Sequence, residues 1–232
     1  MPLIGSNKAG RAPKNPLVVS WRFWRSNAGT AAVEFAFILP VLLLLYAYLV
    51  EFSRAMDEKR KVDRLAQTIA DLVSQQNPAN PVTSTTLSSI LGASAALTAP
   101  YPATNLSSAV SVVTLKTGYN GSCCSANVSW SVSQGGSPRP CGSLTQVADT
   151  VPPAPNNILA SVVNSHSTSS SSSGQVIIAD VQDGYQPIFG GLVTFFSGGF
   201  TRTSYFFLRQ SGQLTLQSSF TSQQGQQAEV CS

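Results

Sequence analysis

At 232 residues with a net charge of +4, the chain has room for one medium domain and its appendages. Only 10% of its residues are charged, against about a quarter in an ordinary cytosolic protein, and Ser, Thr, Gln, Asn and Gly fill the difference. The basic excess lies in the first 28 residues, where Lys8, Arg11, Lys14, Arg22 and Arg25 stand without an acid, so the body lacks the basic, aromatic-studded face of a nucleic-acid binder.

The first element after this basic stretch is apolar. Thr30–Val50 is 21 residues with one acid, Glu34, and "ILPVLLLLYAYLV" has no polar stripe. At about 1.5 Å per residue such a helix reaches the roughly 30 Å of a bilayer core, and a helix apolar all round belongs in lipid or a deep core. Arg22 and Arg25 precede the run, while "EFSRAMDEKRKVDR" after it is of mixed sign. The positive-inside bias therefore puts the N-terminus in the cytoplasm and the body outside. A cleaved secretory signal fits poorly, because no small-x-small site follows the run.

The helix is expected to continue to about Gln75. Ala55, Val62, Leu65, Ile69, Leu72 and Val73 recur at helical spacing as a face for the protein's own body, and Arg54–Glu58 and Asp57–Lys61 form i,i+4 pairs of opposite sign. Pro40 removes one backbone bond inside the span and should kink it. "NPANP" (Asn77–Pro81) ends the helix. "TSTTLSSILGASAAL" predicts a short helix capped by Ser or Thr. Period-2 alternation predicts strands in "AVSVVTLK", "ANVSWSVS", "QVIIADVQ" and "TSYFFLRQ". "NNILASVV" reads as another short helix, "VPPAP" and "HSTSSSSSG" as loops, and Asp180 and Asp183 in "ADVQDGYQ" suit an Asp-Gly turn better than a calcium site. "PIFGGLVTFFSGGF" is broken by glycines and does not read as a second span. The fold class is α+β: a long transmembrane helix followed by a small domain with an antiparallel sheet.

Cys123, Cys124, Cys141 and Cys231 all fall on the outer side, where an even count points to disulfides with three possible connectivities. Adjacent cysteines rarely join each other, so Cys123 and Cys124 are expected to reach Cys141 and Cys231. Catalytic signatures are missing: there is no G-x-S-x-G, no phosphate loop, no Cys-x-x-Cys, and the only histidine, His166, stands in the serine run. Neither a cofactor nor a metal is implied, and the chain does not read as an enzyme.

One spacing remains. A cut between Gly29 and Thr30 would leave a chain beginning "TAAVEF", with Glu34 as its fifth residue. This arrangement resembles the class III leaders of type IV pilins and pseudopilins. The string "GTAAVEFAFILPVLLLLYAYLVEFSRA" is similar to the TadE-like family (TadE, TadF and TadG-like members) of tight-adherence, Flp-type pili. The similarity extends through "DEKRKVDRLAQTIADLVSQ" and, more loosely, to "LGASAALTAPY", "NVSWSVSQGG" and "VQDGYQPIF". It implies a leader at 1–29, a transmembrane and extended helix at 30–76, a linker and short helix at 77–104, and an extracytoplasmic α+β domain at 105–232.

The resemblance further implies a minor pseudopilin of the inner membrane, its body periplasmic or carried on the pilus. A prepilin peptidase would cut after Gly29. The partners would be other Tad pseudopilins, chiefly a second TadE-like subunit, and the assembly machinery, with no nucleic acid. Glu34 would meet the new amine of Thr30 on a neighbouring helix and set the register between subunits. The alternative is an uncleaved single-pass protein whose exported domain binds a ligand or a surface.

Overall fold

The computed structural model describes residues 29–116, 125–167, 174–190, 199–218, 220–222 and 225–231. Two units divide the chain, Met1–Val50 and Glu51–Ser232. The described part of the first is helix α1, Thr30–Ser74, up to Val50; the helix continues without interruption through Pro40. Its large apolar side chains from Val33 to Leu49 are exposed on every side, Phe37 at 77% and Leu43 at 58%. A surface so apolar requires a cover that is not water.

In the second unit α1 changes character. Ala55, Val62, Leu65, Ala66, Ile69, Ala70 and Val73 are buried, which makes the expected stripe the floor of the domain core. Leu72 departs from it: one helical step (about 100°) before Val73, it lies on the flank and stays exposed. Thr83 then caps α2 (Ser84–Gly92), its hydroxyl accepting the Thr86 N–H at 3.2 Å, and α2 buries Leu87 and Leu91. The short α3 (Ser94–Thr98) and a 3-10 turn at Ala103–Asn105 lead into the sheet.

The strands are β1 (Leu106–Lys116), β2 (Ser125–Gln134), β3 (Gly142–Val147), β4 (Asn157–Leu159), β5 (Gly174–Asp183), β6 (Phe200–Phe207) and β7 (Gln226–Val230). They form one sheet in the order β4-β3-β2-β1-β5-β6, with β7 also paired to β2. All pairs are antiparallel except β3–β4. The four strands expected from alternation are β1, β2, β5 and β6.

Both faces of the sheet are buried. Val110, Val112, Trp130, Val132, Ile177, Ala179 and Val181 pack with the α1 stripe, while Val113, Leu115, Val128, Val176 and Ile178 pack on the other side with Ile158 and Val163. A bulge lets β2 serve both. The register steps from Val112↔Trp130 to Val113↔Val128, leaving Ser129 as the extra residue. Ala126 and Val128 therefore face one core, Trp130 and Val132 the other. The indole N–H of Trp130 donates to the Leu214 carbonyl at 3.0 Å, so its one polar atom is satisfied.

"NNILASVV" is not one helix. Asn157–Leu159 forms the parallel strand β4, and α4 (Ala160–Ser167) follows. The Asn157 side chain accepts the Ala154 N–H at 2.6 Å, a local turn that competes with an earlier helix start. The backbone of His166 and Ser167 closes α4 rather than opening the serine loop; Thr168 and the remaining serines, 169–173, lie outside the described residues, as does most of the apolar "GGLVTFFS" stretch.

The cysteine pairing also differs from expectation. Cys141 bonds Cys231, across 90 residues of sequence, and Cys123 and Cys124 lie outside the described residues. The reason is positional. β3 pairs with β2 over Ala126–Val128 and β7 pairs with it over Trp130–Gln134, so both lie along the same edge of β2. Cys141 immediately precedes β3 and Cys231 immediately follows β7, and the Cys231 N–H donates to Ser129 between them. The disulfide joins two short strands end to end into one composite strand.

Candidate functional site at the start of α1 and the end of its apolar run

The structure places the sequence-predicted residues of the junction in a simple order. Gly29 is exposed, with nothing within 4 Å of where a Cβ would stand. Thr30 opens α1, and Glu34 follows one turn later, also exposed and surrounded along the helix by apolar side chains. Any new amine at Thr30 would therefore begin a helix, with a carboxylate about 6 Å further along the axis.

A second cluster, not anticipated from the sequence, stands where the apolar run ends. Glu51 is fully buried. Its carboxylate accepts the Tyr185 hydroxyl, the Ile188 N–H at 3.2 Å and the Phe189 N–H at 3.4 Å. Burial, with the Glu51 hydrogen bond and charge, pushes the Tyr185 hydroxyl well above its ordinary value, so it remains a donor. The Tyr185 ring packs on Phe200 at 5.5 Å.

Two turns along α1, Glu58 turns to Asp183, each nearly fully buried. Burial chiefly, then the Asp183 charge and hydrogen bond, push Glu58 up to about 7 against the nearby Arg54 charge. Asp183 is also raised by burial, although its hydrogen bonds with Glu58 and Gly184 pull the other way. The pair is best understood as sharing a proton: two carboxylates in one dry site cannot both ionise cheaply. Gly199, at φ +71°, makes room beside it, since a Cβ there would lie 2.6 Å from the Asp183 carbonyl oxygen.

On another side of the helix Tyr101 donates to Asp57 at 2.9 Å and takes Lys61 and Arg54 over its ring at 4.7 and 5.5 Å. The Tyr101 hydrogen bond is the main reason the Asp57 carboxyl lies below its usual range. Of the two expected i,i+4 pairs, Asp57–Lys61 closes at 3.5 Å, whereas Glu58 is committed to Asp183.

Asp180 is not part of a turn. It sits in β5 and holds the buried Arg139 in a two-pronged pair, at 2.6 Å from Nε and 2.9 Å from Nη2, while Thr203 donates to it at 2.6 Å. Arg139 Nη1 donates to the carbonyls of Ala154, Pro155 and Asn157 at 2.9–3.1 Å, which pins the proline-rich loop to the sheet. A cavity of about 350 Å³ opens above this pair, between Ser107, Ser137, Pro153 and Thr201. Both carboxylate oxygens of Asp180 are engaged, so the arrangement braces the loop against the sheet. Among the described residues no three His, Cys, Asp or Glu side chains gather as a metal site.

Sequence reasoning missed Glu51 with Tyr185, Glu58 with Asp183, and Arg139 with Asp180. Each joins residues far apart in the chain; only the acid abutting the end of the apolar run was a readable sign.

Among the described residues one helix is long and apolar enough to span a membrane, and it leads into an α+β domain whose sheet is antiparallel except at β3–β4. Residues 29–71 match the family model described as TadE-like protein, from the glycine through the apolar run to the charged turns of α1. No curated protein and no solved structure matches the chain. The likeness is confined to this N-terminal segment and suggests an association with the Tad pilus.

Proposed function

We propose that the protein is a minor pseudopilin of a Tad-type pilus, anchored in the inner membrane with its N-terminus in the cytoplasm and its body outside. A prepilin peptidase removes residues 1–29. The new Thr30 amine then pairs with Glu34 of a neighbouring helix, a second TadE-like subunit being the expected partner, and the assembled protein serves pilus biogenesis and adhesion. The observation that carries the reading is the spacing at the start of α1: an unencumbered Gly29, a helix beginning at Thr30, and one carboxylate a turn into an apolar, exposed helix. Glycine lets a scissile peptide lie against a protease wall. An acid so placed is costly alone in lipid but is suited to fixing register when paired.

N-terminal sequencing of protein purified from cells with an active prepilin peptidase tests the cut. A start at Thr30 is expected; an intact Met1 sinks the reading and favours an uncleaved single-pass protein whose exported domain binds a ligand or a surface, for which the cavity above Arg139 and Asp180 is a candidate site. In the same cells Glu34→Ala is expected to be cut normally yet to be lost from sheared pili.

A further inference from the structure

Glu51 is peptide-bonded to Val50, the last residue of the apolar run, so its level along α1 is that of the hydrocarbon boundary. Backbone and carboxylate groups at that level must be satisfied internally, because water is scarce. The turn that meets Glu51 is built to that requirement. Pro187 has no N–H to satisfy, and the next two N–H groups, of Ile188 and Phe189, both donate to the Glu51 carboxylate. What the turn leaves outward is apolar: Ile188 is 58% exposed while Phe189 is half-buried. On α1 itself, Phe52 and Met56, one turn apart, are also exposed just past the same boundary.

We propose that the Pro187–Phe189 turn is a second membrane contact, its Ile188 side chain entering the lipid surface where α1 leaves it. The occupant is a bilayer's headgroup–acyl boundary, continuous with the lipid around the span; the inference rests on the reading that Ala31–Val50 crosses a bilayer. Glu51 then has a defined task. It holds the turn against the helix exit and hides the turn's amides, so that only apolar surface faces the lipid.

The full chain, reconstituted into phosphatidylcholine liposomes, supplies the test. Two single substitutions, Ile188→Trp and Leu43→Trp, are compared with the parent chain using lipids brominated either near the headgroup end or near the tail end of the acyl chain. Leu43→Trp should lose fluorescence most to tail-end bromine, reporting the span. Ile188→Trp should lose it most to headgroup-end bromine and be shielded from aqueous iodide. Quenching of Leu43→Trp without lipid quenching of Ile188→Trp overturns the contact and leaves the span intact. If neither responds to bromine, the span reading has failed and the contact falls with it. Shielding of Ile188→Trp from bromine and iodide alike puts the turn against protein, a second copy or another subunit, and also overturns the lipid assignment.

Discussion

The two halves of α1 obey opposite rules within one unbroken helix. From Val33 to Leu49 the large apolar side chains stay exposed on every side; from Glu51 to Ser74 only a stripe is apolar, and that stripe is buried to 2% or less at Ala55, Val62, Leu65, Ala66, Ile69, Ala70 and Val73. The backbone is the same, so the difference lies in what each half is dissolved in. The second half brings its own solvent, a sheet. The first half requires one from elsewhere. The acids follow the same division: Glu34 is bare, whereas Glu51 and Glu58 are buried with donors supplied by the domain.

The sharpest way to break this contrast is to cut the same side chain from each half. Leu65→Ala removes a fully buried side chain from the core and should cost about 2–5 kcal/mol in chemical denaturation of the detergent-solubilised protein. Leu43→Ala should leave the same transition in place; an equal loss from both would mean that the span is packed as core.

A smaller effect concerns the buried acids. Glu58 is raised from 4.5 to about 7, so its contribution is fully present below pH 4.5 and is lost as pH rises through 7. The thermal midpoint should therefore fall between pH 4.5 and 7, by the equivalent of about 1–2 kcal/mol after allowing for solvent screening. Glu58→Gln should flatten that slope, and a slope unchanged by it would remove the shared proton. The smallest effect belongs to the exposed Asp71–Arg209 pair: Asp71→Asn should change urea stability by at most about 1 kcal/mol. A larger loss would show that the outer face of α1 matters as much as its stripe.

Much of this was legible because periodicity reports burial. The helix, its stripe, the Thr83 cap and strands β1, β2, β5 and β6 announce themselves by spacing. β3, β4 and β7 do not, because "GSLTQV", "NIL" and "QQAEV" are too short or too polar to alternate, and they are strands by pairing and by the disulfide. Gly29, Thr30 and Glu34 form a local spacing in the sequence, and the proposed cut rests on that spacing. Glu51 with Tyr185, 134 residues on, and Arg139 with Asp180, 41 residues on, were not, since each is a product of the folded topology. The cysteine pairing was misread for the same reason: adjacency in sequence suggested avoidance, but the register on β2 decided which sulfurs meet.

The composite strand has a mechanical side. A load applied between α1 and Cys231 passes through the Cys141–Cys231 bond and bypasses the chain between them, a sequence separation of 90. None of that contour can be released while the bond is closed, even if β5 and β6 were to part. Only the chain between α1 and Cys141, which includes β1 and β2, remains in series. The domain is a tether of limited extension.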